Sequence, residues 1–275
     1  MPQRYLSEAL QTFPGIAHHT APLVGTEATM YNRLWRSIID GRLRPGVKLR
    51  EDIIGETFGI SRTLVRKVLV IMEQEGIVDL PVNHGAYVAH PTPEDARDAL
   101  EAARLISTNA VAKLAARGKA IKRQHLMRIE QHIRAQEAIE KTGYFSLIRI
   151  YSGEFHVLLV HIDGNRILAG QYENLITRIT LAATLYQREG LTLPTPADFQ
   201  KRLVERILAE DADDAVSIVN DLYQSFERSF DFEPRNGEPD LRTILMDEEW
   251  FQHTKAIELA SQTERHGKRS TDNLE

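Results

Sequence analysis

Cysteine is missing from the 275 residues of this chain. Its absence excludes a disulfide framework, a thiolate zinc site, an iron–sulfur cluster and a cysteine nucleophile. Any metal site would have to be built from histidine, aspartate and glutamate side chains. The lack of cysteine also fits a reducing compartment.

Long apolar runs and an excess of positive charge are missing as well. No stretch approaches the roughly 18 consecutive apolar residues of a membrane span, and the N-terminal region lacks the basic-then-apolar pattern of a secretion signal. The formal net charge of −5 argues against a protein that coats nucleic acid by bulk electrostatics. We therefore expect a cytoplasmic protein with no membrane partner, in which any contact with nucleic acid comes from a local basic element.

Catalytic motifs are absent too. The sequence shows no phosphate-binding glycine loop, no nucleophile–base pair and no paired carboxylates at a catalytic spacing. Its composition, 42% hydrophobic and 27% charged, is that of an ordinary globular chain. At roughly 150 residues per domain, its length predicts two domains. We expect no enzymatic activity.

The first part of the chain has the pattern of a winged helix-turn-helix. Residues 1–25 show no helical or strand periodicity and are expected to form an arm that is mobile or docked elsewhere. Residues 26–90 form the predicted domain, with Ser61 as the cap of its third helix. Its predicted elements are three helices over 26–40, 51–58 and 62–75, and a hairpin of β-prone runs at 77–80 and 86–89.

Beyond residue 91 the sequence has only helical periodicity. We expect residues 91–232 to form an all-α domain, and residues 233–275 to form a C-terminal extension with one helix. The predicted fold is mainly α, a winged helix-turn-helix followed by a helical bundle. The predicted helices span 93–117, 121–141, 144–162, 165–188, 197–210, 212–232 and 241–262.

The third helix concentrates positive charge at its N-terminal end. Between Ser61 and Leu69 it holds Arg62, Arg66 and Lys67 and no acid. The first turns of a recognition helix enter the major groove, where arginine can bind guanine O6 and N7. Taken alone, this string is also compatible with a solvated helix that carries ordinary surface arginines.

The context of that string resembles the DNA-binding domain of the GntR regulators. Five blocks match in order, at residues 41–46, 49–51, 59–66, 69–78 and 84–88. The resemblance implies base-edge or phosphate contacts from the recognition helix, a supporting contact from the preceding turn and a minor-groove contact from the wing. The DNA-binding residues it implies are Arg50, Ser61, Arg62, Thr63, Arg66, Lys67, His84 and Gly85.

Three positions depart from the family pattern. Leu64 stands where proline is usual, and Lys67 stands where an acid is usual; neither change removes a DNA contact. Asp52 lies near a point where some relatives have arginine, so one contact of those relatives is in doubt here.

The second domain resembles the FCD domain of the FadR-type branch of the same family. The resemblance rests on the runs 103–106, 155–156 and 163–168. It implies that residues 91–232 bind an effector and dimerise, and that they form an antiparallel helical bundle with a central pocket. In many members this pocket holds a divalent metal. Here the ligand positions around His156 carry Ser152, Gln200 and Leu222, which cannot replace a carboxylate and two imidazoles. We expect no metal and no cofactor.

In place of a metal we expect a small organic metabolite, anionic or rich in planar acceptors, since buried arginines select carboxylates. Each candidate also has a structural alternative. Arg104 can be an ion-pair partner, His156 a core histidine, and Arg149 and Arg178 surface residues. The candidate effector-binding residues are Arg104, Arg149, Ser152, His156, Arg178 and Gln200.

The leading hypothesis is a ligand-responsive transcriptional regulator of a metabolic operon, expected to be a repressor, that binds double-stranded operator DNA as a homodimer. One alternative keeps operator binding but makes the second domain a dimerisation module without a ligand. A distant alternative is an all-α enzyme with the winged helix as an interaction module.

Overall fold

The computed structural model describes residues 5–14, 16, 23–186, 196–232 and 241–247. This part of the chain is mainly α-helical with one small sheet, as the sequence predicts. The helices are α1 Glu8–Gln11, α2 Thr26–Ile39, α3 Glu51–Phe58, α4 Arg62–Gln74, α5 Pro93–Arg117, α6 Arg123–Glu140, α7 Phe145–Asp163, α8 Arg166–Tyr186, α9 Ala197–Leu208, α10 Ala212–Ser229 and α11 Leu241–Met246. The strands are β1 Lys48–Leu49, β2 Val78–Asp79 and β3 Ala86–Val88.

Residues 26–90 form the unit that the sequence predicts to bind DNA, called the DNA-binding unit below. The ends of its helices are set by the chemistry of nearby residues. α3 ends at Gly59, whose φ of 65° places it in the left-handed region that favours glycine. Ser61 caps α4, because its side chain accepts a hydrogen bond of 3.4 Å from the backbone N–H of Leu64. Gly76 follows α4 with a φ of 73°. These residues end α3 and mark the two ends of α4. The chain therefore turns between the two helices and then enters the sheet.

The sheet has three antiparallel strands in the order β1-β3-β2. The predicted hairpin is present, with Val78 opposite Val88 and Asp79 opposite Tyr87. β1 was not predicted. Its pairing of Lys48 with Tyr87 and Leu49 with Ala86 is a long-range contact that a two-residue run does not reveal.

The apolar core of the DNA-binding unit includes residues from outside residues 26–90. Leu181 of α8 belongs to this core, as do the buried α11 residues Leu241, Ile244 and Leu245. Arg33 of α2 donates a hydrogen bond of 3.0 Å to the Leu245 carbonyl. Helix α11, in the predicted C-terminal extension, therefore packs against α2 and α3. It ends at Met246, and residues 248–262 of the predicted helix 241–262 lie outside the described residues.

The second unit is a helical bundle centred on α5. A capping box starts α5, with Thr92 and Asp95 each accepting a hydrogen bond from the other's backbone N–H. The buried face of α5 consists largely of alanine and leucine, which lets α7, α8, α9 and α10 pack closely against it. The observed bounds of the six bundle helices depart from the predicted ones by no more than a few residues.

The described part of the N-terminal arm is docked on the bundle, one of the two expected alternatives, and contains a short helix that the sequence did not predict. Residues 8–11 form α1, and the arm packs against α6 and α7. Its apolar side chains are buried in the core of the bundle: Tyr5, Leu6, Ala9, Leu10 and Ile16. A four-residue helix is too short to show periodicity, and its stability comes from this packing.

Polar side chains of α6 and α7 hold the backbone of the arm. The Glu154 carboxylate accepts hydrogen bonds of 2.7 Å from the backbone N–H groups of Leu6 and Ser7. His132 lies 2.8 Å from the Ser7 hydroxyl and 3.0 Å from the Tyr151 carbonyl. Because a carbonyl only accepts, Nε2 of His132 carries the proton and Nδ1 accepts from Ser7. The described residues of the arm, 5–14 and 16, are thus part of the bundle.

The two units also touch directly. The Arg149 guanidinium of α7 donates to the backbone carbonyl of Ile39, the last residue of α2. The Tyr186 hydroxyl donates a hydrogen bond of 2.8 Å to the Pro91 carbonyl in the linker. Among the described helices, none has the length and apolar character needed to span a membrane.

Candidate DNA interface and effector site

The recognition helix α4 separates a buried face from a charged one. Its apolar residues Val65, Val68, Leu69 and Met72 are buried in the core. The exposed side of its first two turns carries the predicted contacts Arg62, Thr63, Arg66 and Lys67. Arg62 has no hydrogen bond or ion pair within the described part of the chain.

Three of the predicted DNA-binding cations are paired with carboxylates of the same unit. The Nη1 atom of Arg66 lies 3.1 Å from Oε1 of Glu51 in α3. The Nζ atom of Lys67 lies 2.8 Å from Oε2 of Glu27 in α2.

The Nη2 atom of Arg50 lies 2.8 Å from Oδ2 of Asp52. Asp52 is the residue near whose position some relatives have an arginine. The hydrogen bond from Arg50 lowers the pKa of Asp52 to about 2, so this carboxylate stays charged at neutral pH.

The wing lies between β2 and β3. Its turn closes through a hydrogen bond of 3.1 Å from the His84 backbone N–H to the Pro81 carbonyl. Gly85 follows with a φ of 87°, a conformation that favours glycine. His84 and Gly85 are both exposed, as a minor-groove contact requires.

Lys48 is a cation of this surface that the sequence analysis missed. It is exposed on β1, and its ammonium group lies 5.6 Å from the centre of the Tyr87 ring. A Cβ atom at Gly85 would lie 3.5 Å from its side chain, so Lys48 flanks the wing. The sequence signal was a charged residue, Lys48, followed by an apolar one, Leu49. A two-residue alternation is too short to predict a strand.

A buried polar cluster lies between α6, α7 and α9. It contains three of the predicted effector residues, Ser152, His156 and Gln200, all buried. Two further members, Gln136 and Glu140 of α6, were missed.

The amide of Gln136 donates to Glu140 at 3.0 Å and to Ser152 at 3.5 Å, and Glu140 accepts from the Ala197 backbone N–H at 2.8 Å. The four-residue spacing of His132, Gln136 and Glu140 along one helix was the available signal.

His156 is the most unusual member of this cluster. Its side chain is almost fully buried at 4% exposure, between Phe155 and Phe199. Neither ring nitrogen has a hydrogen-bond partner within the described part of the chain, and the same is true of the Gln136 carbonyl oxygen. Burial lowers the pKa of His156 to about 4, so the ring is neutral at physiological pH.

The arginines predicted for this site lie elsewhere or at its margin. Arg149 points to Ile39 in the DNA-binding unit. Arg178 is exposed on α8 and interacts electrostatically with Asp95. Arg104 is half-buried on α5, with no hydrogen bond from its guanidinium within the described residues. The structure therefore gathers the histidine, hydroxyl and amide candidates but not Arg149 or Arg178.

The donor set does not fit the metal that many FCD domains hold. His156 is the one imidazole of the cluster, Leu222 is a buried apolar residue, and Ser152 and Gln200 are weak ligands for Zn²⁺ or Ni²⁺. Across the described ranges, no group of three or more histidine and acidic side chains is arranged to hold a metal ion.

Two family models match this chain. Residues 26–88 match the model for bacterial regulatory proteins of the gntR family, and residues 96–225 match the FCD domain. Together these matches take in well over half of the chain. The chain belongs to the GntR family. This GntR protein carries an FCD domain behind its winged helix-turn-helix, and the members of its family are regulators rather than enzymes.

Two curated proteins match parts of this chain at low to moderate identity. The HTH-type transcriptional regulator YdhC of Bacillus subtilis is 24% identical over 147 residues, which cover 53% of this chain and 64% of that protein. The chain thus aligns with less than two thirds of the length of this relative. An HTH-type regulator of Streptomyces ambofaciens is 33% identical over 70 residues, 26% of this chain and 30% of that protein.

Solved structures share the fold. A crystal structure of a GntR transcriptional regulator from Rhodococcus sp. RHA1 has a TM-score of 0.63 and 17% identity, covering 74% of this chain and 95% of that one. McbR/YncC of E. coli has a TM-score of 0.56 and 19% identity, with the same coverage of both chains. At these identities the likeness concerns the fold alone.

Proposed function

We propose that this GntR protein binds operator DNA as a homodimer, represses a metabolic operon and responds to a small organic metabolite. The observation that carries DNA binding is the exposed, acid-free start of α4 beside the wing. In this arrangement the first turns of α4 enter the major groove while His84 and Gly85 reach the minor groove. Arg62, which has no partner among the described residues, is the base reader of first choice.

Arg62→Ala and Arg66→Ala are expected to weaken binding to operator DNA by about 1–3 kcal/mol each, and binding to random DNA much less. The reason is that a bidentate contact to guanine is lost, whereas non-specific binding rests on phosphate contacts. The operator is obtained by enrichment from a random duplex library, and affinities are measured at fixed salt. Arg178→Ala, on the exposed side of α8, serves as the control. Unchanged discrimination in both variants would refute the assignment.

The proposed effector site is the buried cluster around His156. A buried imidazole without partners and a buried amide oxygen without a donor each raise the free energy of the protein. A ligand that offers both a donor and an acceptor offsets this cost. An anionic group on the ligand would require Arg104 of α5, a helix that packs against α7 and α9. The Arg104 guanidinium has no hydrogen bond to any residue that the structure describes.

α7 connects the proposed effector site to the rest of the molecule. It carries Ser152 and His156 of the cluster, Glu154 that holds the arm, and Arg149 that contacts Ile39 of the DNA-binding unit. A ligand that displaces α7 therefore changes contacts with both the arm and α2. The size of the response is set by the difference in ligand affinity between the two conformations, typically about 1–3 kcal/mol.

His156→Leu and Gln136→Leu are expected to abolish release of operator DNA by a metabolite while leaving operator binding intact. The physical reason is that each change removes a partner for the ligand without touching α4. Metabolites are screened for release of a fluorescent operator from the unaltered protein, and active ones are titrated against the variants. Arg104→Ala should lose only responses to anions. If both leucine variants still respond at the same concentration, the bundle acts as a dimerisation module and the cluster is structural.

A further inference from the structure

The paired cations of the DNA surface have an unusual arrangement. Glu51 and Glu27 are mostly covered, with side-chain exposures of 21% and 13%, whereas their partners Arg66 and Lys67 are 61% and 47% exposed. The carboxylates thus lie beneath the cations, on the side away from solvent. Arg62, on the same face of α4, has no such partner within the described residues.

Both carboxylates are fixed in place. Glu27 lies in the first turn of α2 and Glu51 in the first turn of α3. Negative charge is favoured at a helix N-terminus, so both carboxylates lie where the helix itself stabilises them. They place negative charge next to the cations of the DNA-binding surface.

A carboxylate behind an arginine affects base contacts and phosphate contacts differently. The guanidinium has five N–H donors, so Arg66 can keep its bond to Glu51 and still give two to a guanine edge. A phosphate bound at the same place brings its own negative charge close to Glu51, and the repulsion offsets part of the attraction. Lys67 carries a compact point charge. Its attraction for a phosphate is reduced in the same way, because Glu27 beside it repels the phosphate.

Resting on the DNA binding proposed above, we propose that Glu51 and Glu27 are specificity-determining residues. They suppress binding that depends on phosphate contacts alone, and they leave base reading by Arg62 and Arg66 intact. The effect acts on DNA affinity through charge repulsion. The two ion pairs themselves contribute little to the free energy of unfolding, because their cations are exposed to solvent. The protein thereby spends less of its time on DNA of unrelated sequence.

The test measures binding to random-sequence duplex DNA over a range of salt concentrations. Glu51→Gln and Glu27→Gln are expected to raise the affinity for random duplex about three- to tenfold at about 0.1 M salt. Each variant should also steepen the salt dependence by about one unit of log affinity per log salt, the value for one added phosphate contact. Enrichment from a random duplex library should yield a weaker sequence preference than with the unaltered protein.

The matched control is Glu94→Gln. Glu94 is an exposed acid in the first turn of α5, so its replacement makes the same change in net charge at the same kind of helix position, away from α4. It is expected to shift random-duplex affinity by less than about twofold. Thermal unfolding of all three variants reports whether the fold is intact.

The outcomes separate this inference from the proposed function. Glu51→Gln and Glu27→Gln variants that match Glu94→Gln in affinity and salt dependence overturn the role of the two carboxylates. The same follows if random-duplex affinity rises and sequence preference is undiminished. If the unaltered protein itself enriches no sequence, the proposed operator binding fails, whatever the variants do.

Discussion

Replacing Glu154 with alanine is expected to lower the free energy of unfolding by about 3–5 kcal/mol. The substitution removes the charged acceptor of two backbone N–H groups, those of Leu6 and Ser7, at a site where water does not reach them. The arm would lose its main polar anchor, while its apolar contacts through Leu10 remain. Urea denaturation followed by circular dichroism measures the loss, and hydrogen exchange of the arm amides shows whether the arm detaches first.

The control is Glu130→Ala on the exposed side of α6. Glu130 forms a surface pair with Arg134, and its loss should change stability by less than about 0.5 kcal/mol. An unchanged unfolding curve for Glu154→Ala, together with unchanged exchange in the arm, would show that the arm does not depend on this carboxylate.

His156 is expected to make the protein less stable as the pH falls. The pKa of its side chain is 6.5 in the unfolded reference state and about 4 in the folded protein, because burial disfavours the charged ring. Between these values the unfolded chain binds a proton that the folded protein does not, so stability declines as the pH drops through this window. The difference amounts to about 3 kcal/mol in all. His156→Gln should remove this part of the pH dependence.

The measurement compares the free energy of unfolding of both proteins between pH 7 and pH 4. His125, whose pKa is also lowered by burial and by nearby cations, contributes to the slope of both curves and cancels in the difference. Parallel curves for His156→Gln and the unaltered protein would contradict a buried neutral imidazole.

Local signals explain why the DNA-binding unit could be predicted so fully. Ser61, Gly59 and Gly76 set helix ends through their own conformational preferences, and these act within a few residues. β1 lacked such a signal, since Lys48 and Leu49 become a strand only by pairing with β3. The ion pairs of Arg66 and Lys67 also escaped prediction, because their partners Glu51 and Glu27 lie on other helices.

The buried polar cluster proposed as the effector site was predictable only in part, for the same physical reason. Ser152 and His156 share one helix face by spacing, whereas Gln136 and Glu140 join them through packing of α6 on α7. Spacing on a single helix could not show that Arg149 points toward Ile39.

The arm and α11 impose an order of events on synthesis and folding. The contact between Leu6 and Glu154 joins positions 148 apart, and that between Arg33 and Leu245 joins positions 212 apart. As the chain leaves the ribosome, the arm cannot pack until α6 and α7 have been synthesised. The core of the DNA-binding unit cannot be completed until α11 has been synthesised. Contacts of such long sequence separation form slowly, and the apolar surfaces they cover stay open to chaperones or to aggregation meanwhile. A chain that stops before residue 241 would leave the ribosome with its DNA-binding core still uncovered on one side.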